Sequence, residues 1–338
     1  LPAGWTDEQD GGHYRLRRRA DDARFGYAVG PGSWKSLLHP PRTKVWTITR
    51  RTAATAKGDQ PEGHQEELRV AMAEPDRPRR AFFGVRPCEL AAIVKQDRVL
   101  LEGPHPDPAY AANREDVFIV AVACGAPAAT CFCPSMGTGP AVGPGADLSM
   151  TELVDGDDIR YVAVAETDLG AEVLAAVPSG PVAEAELERA AGVVAEAEVT
   201  ITRRVDTVGI QDLIYDNLES DQWDELATRC LACGNCTMAC PTCFCTNLED
   251  VTDLTGDHTD RWRVWDTCFS LDFSHLGPGP VRASIGSRYR QWFSHKLAGW
   301  IDQFDESGCV GCGRCITWCP VGIDLTAELA TMREATGP

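Results

Sequence analysis

The fold of this chain is decided by the stretch Cys230-Leu-Ala-Cys233-Gly-Asn-Cys236-Thr-Met-Ala-Cys240-Pro241. The same pattern returns near the carboxyl end as Cys309-Val-Gly-Cys312-Gly-Arg-Cys315-Ile-Thr-Trp-Cys319-Pro320. The two runs share every cysteine, the glycine after the second cysteine and the final proline. Two copies of one cysteine unit indicate a repeated metal-binding element.

The spacing of each run, Cys-x2-Cys-x2-Cys-x3-Cys-Pro, is typical of bacterial two-cluster ferredoxins. The two-residue gaps let three thiolates surround one face of a cubane, and Gly234 and Gly313 allow close backbone approaches that a Cβ would hinder. Zinc also accepts four thiolates from paired Cys-x2-Cys units. Zinc has no need, however, of a repeated third and fourth cysteine followed by proline. The sequence therefore predicts two 4Fe-4S clusters.

The ligands of each cluster follow from a property of two-cluster ferredoxins, in which the fourth cysteine of each run binds the cluster of the other run. We expect the same crossing here. The predicted ligands of the first cluster are Cys230, Cys233, Cys236 and Cys319. The predicted ligands of the second cluster are Cys309, Cys312, Cys315 and Cys240.

The region before the first run carries short apolar or β-branched segments of the kind that form buried strands, at residues 45–48, 81–85, 117–123 and 161–165. Helical segments such as residues 89–99 lie between them, and this alternation indicates an α/β layer. We therefore predict an α+β protein with an N-terminal α/β domain over residues 1–205. A helical, ferredoxin-like two-cluster domain follows over residues 206–338, with a long insertion at 241–308 that forms structure of its own.

Four cysteines of the first domain follow its predicted strands: Cys88, Cys124, Cys131 and Cys133. Because the carboxyl ends of parallel strands meet at one edge of a sheet, we expect these four thiols to converge there. Their number suits a third iron–sulfur cluster, and Gly137 and Gly139 would let the backbone approach it. The alternatives are another metal, a redox-active thiol, or cysteines that act only as small buried apolar residues.

Three more cysteines, Cys243, Cys245 and Cys268, lie in the insertion and are one short of a full ligand set. A cluster there would need a fourth ligand, which would be either a side chain other than cysteine or the thiolate of Cys131 or Cys133. The insertion also carries basic and aromatic residues that would either form a docking face, pack over the clusters, or serve only packing and solvated charge: Trp262, Trp265, Arg282, Arg288, Arg290, Trp292 and Lys296.

The composition excludes several classes of function. Among 338 residues, acidic side chains outnumber basic ones 50 to 32, so nucleic-acid binding lacks its usual electrostatic basis. No apolar run approaches the roughly 20 residues of a membrane span, and no secretory signal is visible. Fifteen cysteines in metal-ligand spacing favour reduced thiols in the cytoplasm. No phosphate-binding loop or hydrolytic motif occurs, so we expect a soluble electron-transfer protein.

Several segments resemble the beta subunit of cytoplasmic nickel–iron sulfhydrogenases and its electron-transfer relative in anaerobic sulfite reductase. Within the first domain these are Phe83-Gly-Val-Arg-Pro-Cys-Glu-Leu-Ala91, Asp107-Pro-x-Tyr110 with Ala112-Asn-Arg-Glu115, and Thr130-Cys-Phe-Cys-Pro-Ser-Met-Gly-Thr-Gly139. The others are residues 230–245, Trp265-Asp-Thr-Cys268 and residues 309–320. The segment at 130–139 looks closer to the hydrogenase branch than to the sulfite reductase branch.

The resemblance implies a subunit that is not itself catalytic. It would relay electrons between two modules, a flavin-containing subunit that oxidises NAD(P)H and the small and large subunits of a nickel–iron hydrogenase. Three other readings stay open. The chain would feed electrons to the siroheme subunit of a sulfite reductase, or it would act alone as a sulfur or disulfide reductase with a catalytic cluster in the first domain. In the third reading it is a structural scaffold whose clusters only stabilise the fold.

Overall fold

The computed structural model describes residues 1–53 and 65–336. The chain begins with an antiparallel hairpin, β1 (Trp5–Asp10) and β2 (His13–Arg18), followed by the short helix α1 (Lys35–Leu38). Two longer strands, β3 (Arg42–Ala53) and β4 (Gln65–Met72), then pair antiparallel.

The centre of the N-terminal part is a four-stranded sheet in the order β5 (Arg80–Val85), β6 (Val117–Val122), β7 (Leu148–Asp155) and β8 (Asp158–Ala165). The first three strands are parallel, and β8 returns antiparallel to β7. The connection from β5 to β6 runs through helices α2 (Pro87–Leu100) and α3 (Pro108–Arg114). Apolar side chains such as Phe82 and Ile119 are buried between this sheet and its helices, as expected for short, unbroken apolar strands.

The remaining helices and strands follow in chain order. The helices are α4 (Asp168–Ala176), α5 (Glu184–Thr200), α6 (Ile210–Asp216), α7 (Gln222–Arg229) and α8 (Asn235–Met238). The insertion contains β9 (Thr246–Thr252), β10 (His258–Trp265), β11 (His275–Leu276), β12 (Gly279–Pro280), α9 (Ile285–Ser294), a π-helical turn (His295–Gly299) and α10 (Trp300–Phe304). The chain ends with α11 (Arg314–Thr317) and α12 (Leu325–Thr336).

The predicted α+β class is confirmed. The four predicted strands lie in β3, β5, β6 and β8, and the helical segment 89–99 lies in α2. Two helices, α6 and α7, lead into the first cysteine run. Among the described residues, no helix is both long and apolar enough to cross a membrane.

A second sheet joins strands from distant parts of the sequence, in the order β4-β3-β10-β9. The insertion therefore does form secondary structure, but its hairpin β9–β10 completes a sheet that the N-terminal part begins. The pairing register places Trp46 of β3 opposite Arg261 of β10. Because this sheet connects both sides of position 205, the division into domains 1–205 and 206–338 stays a prediction.

A buried ion pair connects the two cysteine-bearing halves. Arg314 lies inside the second cysteine run and contacts Glu89 near the start of α2, with side chains that are 2% and 3% exposed. The second oxygen of Glu89 accepts hydrogen bonds from the Ser33 hydroxyl (3.0 Å) and the Trp34 amide (3.1 Å). The guanidinium of Arg314 also donates to the carbonyls of Gly30 (2.6 Å) and Gly32 (3.1 Å). The pair thus holds α2 against the second run.

We expect the substitution Glu89→Ala to lower the free energy of unfolding by about 3–5 kcal/mol, because it leaves the buried Arg314 charge without its partner. The measurement is anaerobic denaturant unfolding of the cluster-loaded protein. The control is Glu115→Ala, which removes an exposed ion pair with Arg77 and is expected to cost at most about 1 kcal/mol. Equal losses in the two variants would contradict the role assigned to Glu89.

Candidate functional site

The four cysteines predicted for the first cluster lie around one apolar space, here called site 1: Cys230, Cys233, Cys236 and Cys319. Its other walls are mostly aromatic and aliphatic, namely Phe269, Tyr289, Trp292, Ile323 and Leu325. Cys315 also borders this space. A set of four free thiols in a largely water-excluding pocket is the donor set that a 4Fe-4S cluster uses.

Backbone amides point at the cysteine sulfurs of both runs. The Ala232 amide lies 3.4 Å from Cys230 Sγ, and the Gly311 amide lies 3.4 Å from Cys309 Sγ at the equivalent position of the second run. Ala232 and Gly311 both have positive φ, 49° and 61°, so the repeat extends to the backbone. Amide hydrogen bonds to sulfur stabilise the thiolate and help to set the potential of a bound cluster.

The second predicted ligand set, here called site 2, also comes together: Cys240, Cys309, Cys312 and Cys315. Burial raises the pKa of the Cys309 thiol to about 11, although the Lys296 ammonium nearby acts in the opposite direction. Burial also raises the pKa of Cys315 well above its usual value, and neighbouring thiolates add to this effect. Thiols with a raised pKa lose their protons readily only when a positive metal centre binds the sulfur in place of the proton.

The four cysteines of the first domain converge as the strand-end argument predicts, and this group is here called site 3. Cys88 lies in the first turn of α2, Cys124 follows β6, and Cys131 and Cys133 lie on the next loop. All four line one space, and Cys312 of site 2 borders it too. Burial, with Cys124 and Cys312 beside it, raises the pKa of Cys133 to about 12.

Site 3 is fixed against the second cysteine run by backbone contacts. The Phe132 amide donates to the Gly311 carbonyl at 2.8 Å, and the Thr130 and Thr317 hydroxyls hydrogen-bond at 2.8 Å. A Cβ on Gly313 would lie 2.3 Å from the Thr130 carbonyl oxygen. The glycine of the second run is therefore required by this packing as well as by its positive φ of 72°.

The two glycines expected to approach site 3 have different roles. A Cβ on Gly139 would lie 3.3 Å from Cys133 Sγ and 3.2 Å from the Cβ of Pro87, so the backbone does come close to the thiols there. Gly137 has φ of 65° with open space around it, and it ends the 3-10 turn that begins at Cys133. Only Gly139 matches the expectation of a close approach.

The three remaining cysteines, here called the cysteine trio, lie around Lys296, with one beside Cys240 of site 2 and another beside Cys236 of site 1: Cys243, Cys245 and Cys268. The Cys243 thiol hydrogen-bonds Cys240, and the Cys268 thiol hydrogen-bonds Cys245. The sequence also allows Cys131 or Cys133 to be the fourth ligand of a cluster at the trio. In the structure, however, both have Cys124 and Cys312 as neighbours. Among residues 1–53 and 65–336, no three His, Cys, Asp or Glu side chains converge tightly enough to hold a single metal ion.

Two buried lysines near these sulfurs were not recognised as site residues from the sequence. Lys296 donates to Cys240 Sγ at 3.3 Å and to the Thr242 hydroxyl at 3.0 Å. Lys35 donates to the carbonyls of Cys240 and Cys243, both at 3.0 Å. Lys296 belongs to the basic and aromatic set for which the sequence leaves three roles open: a docking face, packing over the clusters, or only packing and solvated charge. Its burial, together with Trp292 lining site 1, agrees with packing.

Comparison with known proteins agrees with this geometry. The 4Fe-4S dicluster domain family matches residues 229–323, which contain both cysteine runs. Sulfhydrogenase 2 subunit beta of Pyrococcus furiosus is 32% identical over 254 residues, which cover 75% of this chain and 74% of that protein. No solved structure matches the chain.

These matches confirm the predicted cofactors, because a 4Fe-4S dicluster domain implies two 4Fe-4S clusters. They also confirm the resemblance that was read from separate segments of the sequence. With 32% identity over three quarters of both proteins, the chain belongs to the family of sulfhydrogenase beta subunits and is an iron–sulfur electron-transfer protein.

Proposed function

We propose that this chain is the relay subunit of a cytoplasmic, NAD(P)-linked nickel–iron hydrogenase complex. Its partners would be a flavin-containing subunit that oxidises NAD(P)H and the small and large hydrogenase subunits. The observation that carries this proposal is a continuous row of cysteine sites. Cys315 of site 2 borders site 1, and Cys312 of site 2 borders site 3. A row of adjoining redox sites suits transfer through the subunit better than chemistry at one of them.

The ligand assignments are part of the proposal. Site 1 would use Cys230, Cys233, Cys236 and Cys319; site 2 would use Cys240, Cys309, Cys312 and Cys315; site 3 would use Cys88, Cys124, Cys131 and Cys133. A 4Fe-4S cluster supplies a one-electron carrier whose potential lies between about −700 and +450 mV, depending on charge, hydrogen bonds and exposure. The chain contributes the thiolates, the amides of Ala232 and Gly311, and the apolar walls that exclude water.

One end of the row lies at the protein surface. Cys233 of site 1 is exposed, and Leu231 beside it is 62% exposed. Val321, on the other side of the same pocket, is 44% exposed. Exposed apolar side chains around an exposed ligand suit the docking of a partner subunit that exchanges electrons with site 1. Site 3 is more enclosed, because Cys88, Cys131 and Cys133 are all buried.

The partners can be identified by anaerobic affinity purification of the tagged chain from its own host. We expect nickel-containing subunits and a flavin-containing subunit to copurify, and NAD(P)H to reduce the chain only in the presence of the flavin subunit. Electronic absorption spectra monitor reduction of the iron–sulfur clusters, and elemental analysis measures the nickel in the purified complex. Copurified siroheme instead of nickel would favour the sulfite reductase reading. Sulfur or disulfide reduction by the chain alone, with an artificial electron donor, would overturn the relay role.

The third site can be tested by the double substitution Cys88→Ser and Cys124→Ser. We expect this variant to lose about four irons per chain relative to the wild type, because one cubane would be missing. Iron and acid-labile sulfide are measured on anaerobically purified protein, and electron paramagnetic resonance reports whether sites 1 and 2 stay loaded. Ala129→Ser is the control, since it adds a hydroxyl at an exposed position of the same loop. An unchanged iron count in the double variant would refute site 3.

A further inference from the structure

The cysteine trio is assembled by the open end of the β9–β10 hairpin. Cys245 immediately precedes β9, and Cys268 comes shortly after β10. The ladder continues past the strands, since the Asp266 amide donates to the Cys245 carbonyl at 2.9 Å. This pairing brings Cys245 and Cys268 into side-chain contact, with Cys243 two residues upstream. Strand pairing therefore joins Cys245 and Cys268, whereas Cys243 belongs to the group through its proximity in sequence to Cys245.

The trio repeats part of the arrangement of site 3. The tetrapeptide Thr-Cys-Phe-Cys occurs at residues 130–133 and again at 242–245. In site 3 the first copy supplies two thiols, and a third comes from Cys124 at the end of β6. In the trio the second copy supplies two thiols, and the third comes from Cys268 after β10. The trio lacks only an equivalent of Cys88.

In the part of the chain that the structure describes, two buried lysines beside the trio form no salt bridge with a carboxylate. Lys35 and Lys296 are 5% and 6% exposed, and the carboxylate that acts on Lys35, Glu89, does so from beyond ion-pair distance. Lys95 is equally buried, but it is paired with Glu306 at 2.5 Å. Burial of an ammonium group is unfavourable unless a negative group compensates it. The position of Lys35 and Lys296 therefore indicates negative charge at the sulfurs nearest to both, which are Cys243 of the trio and Cys240 of site 2.

The backbone holds Lys296 in place through an unusual element. It lies in the π-helical turn His295–Gly299, and such turns are frequent at functional sites. The Lys296 carbonyl accepts hydrogen bonds from the Gly308 amide at 2.8 Å and from the Ser307 hydroxyl at 3.2 Å. The ammonium group is thereby directed at Cys240 and Thr242 instead of solvent. Lys35 approaches the same segment from α1 and packs 4.0 Å from the Trp265 ring centroid.

From these contacts we propose that Cys243, Cys245 and Cys268 bind a further iron–sulfur cluster, with Lys35 and Lys296 compensating its charge. An oxidised 4Fe-4S core carries a charge of +2, so binding by three thiolates leaves a net charge of −1. The cluster of site 2, whose ligand Cys240 is contacted by Lys296, would supply the remaining negative charge beside the two ammonium groups. The fourth iron would take a solvent oxygen, because the trio supplies only three thiolates. This inference does not depend on the identity of the partner subunits.

The test compares the wild type with the double variant Cys245→Ser and Cys268→Ser, both purified anaerobically as the full chain. We expect the variant to lose about four irons and four sulfides per chain while the resonance signals of sites 1 and 2 persist. Adding Cys243→Ser should remove no further iron, because all three thiols would serve one cluster. The control is Leu248→Ser, which introduces a serine at an exposed position of β9 and should leave the count unchanged.

Three outcomes would overturn the proposal. The first is a double variant with the wild-type iron and sulfide content. The second is a Cys245–Cys268 disulfide in the anaerobic wild type, detected by mass spectrometry after alkylation. The third is rapid alkylation of the trio in the native, cluster-loaded protein. If the double variant loses every cluster signal, the wild-type count decides together with the Cys88→Ser and Cys124→Ser variant, which reports the iron held by site 3. About four irons beyond those of sites 1, 2 and 3 support the trio, and no such excess excludes it. Copurification of partners is unaffected by any of these results.

Discussion

The structure depends most on the contact between Arg314 and Glu89. Removing two charges from water costs several kcal/mol per ion, so such a pair persists only where its remaining hydrogen-bonding groups are satisfied. Glu89 receives hydrogen bonds from Ser33 and Trp34, and Arg314 donates to the carbonyls of Gly30 and Gly32. The pair joins a residue between two ligands of site 2 to the residue after Cys88 of site 3. One interaction therefore fixes the position of two cysteine sets.

The charges around the sulfurs oppose the charge of the whole molecule. The chain has a formal net charge of −18, which disfavours adding electrons to any bound cluster, modestly after screening by salt. Inside the protein, however, Lys35, Lys296 and Arg314 are buried near the thiols of site 2 and the trio. Positive charge and amide hydrogen bonds close to sulfur raise the potential of a cluster. The buried cations thus oppose the lowering of cluster potentials by the acidic surface. The effect is largest for a cluster at site 2, because Lys296 contacts its ligand Cys240.

The sequence predicted those features that local patterns determine. The two runs have a spacing that only cluster binding explains, and Cys88 and Cys124 could be placed together because parallel strands end at one edge. The pairing of β3 with β10 could not be predicted, since more than two hundred residues separate Trp46 from its partner Arg261 and no local pattern specifies that register. The gathering of Cys245 and Cys268 follows from the same hairpin, and so was missed. Burial of Lys35 and Lys296 depends on tertiary packing, whereas a lysine in isolation is expected at the surface.

Site 2 adjoins each of the other cysteine sets. Cys315 borders site 1, Cys312 borders site 3, and Cys240 is hydrogen-bonded by Cys243 of the trio. Cys312 and Cys315 border different neighbours although only two residues separate them in the second run. Cys240 comes from the first run instead, and the crossing between runs therefore ties the trio to site 2. A displacement of the second run would disturb sites 1, 2 and 3 together, because this run would supply Cys319 to site 1 and three thiols to site 2, and its backbone and hydroxyl contacts hold the loop of site 3.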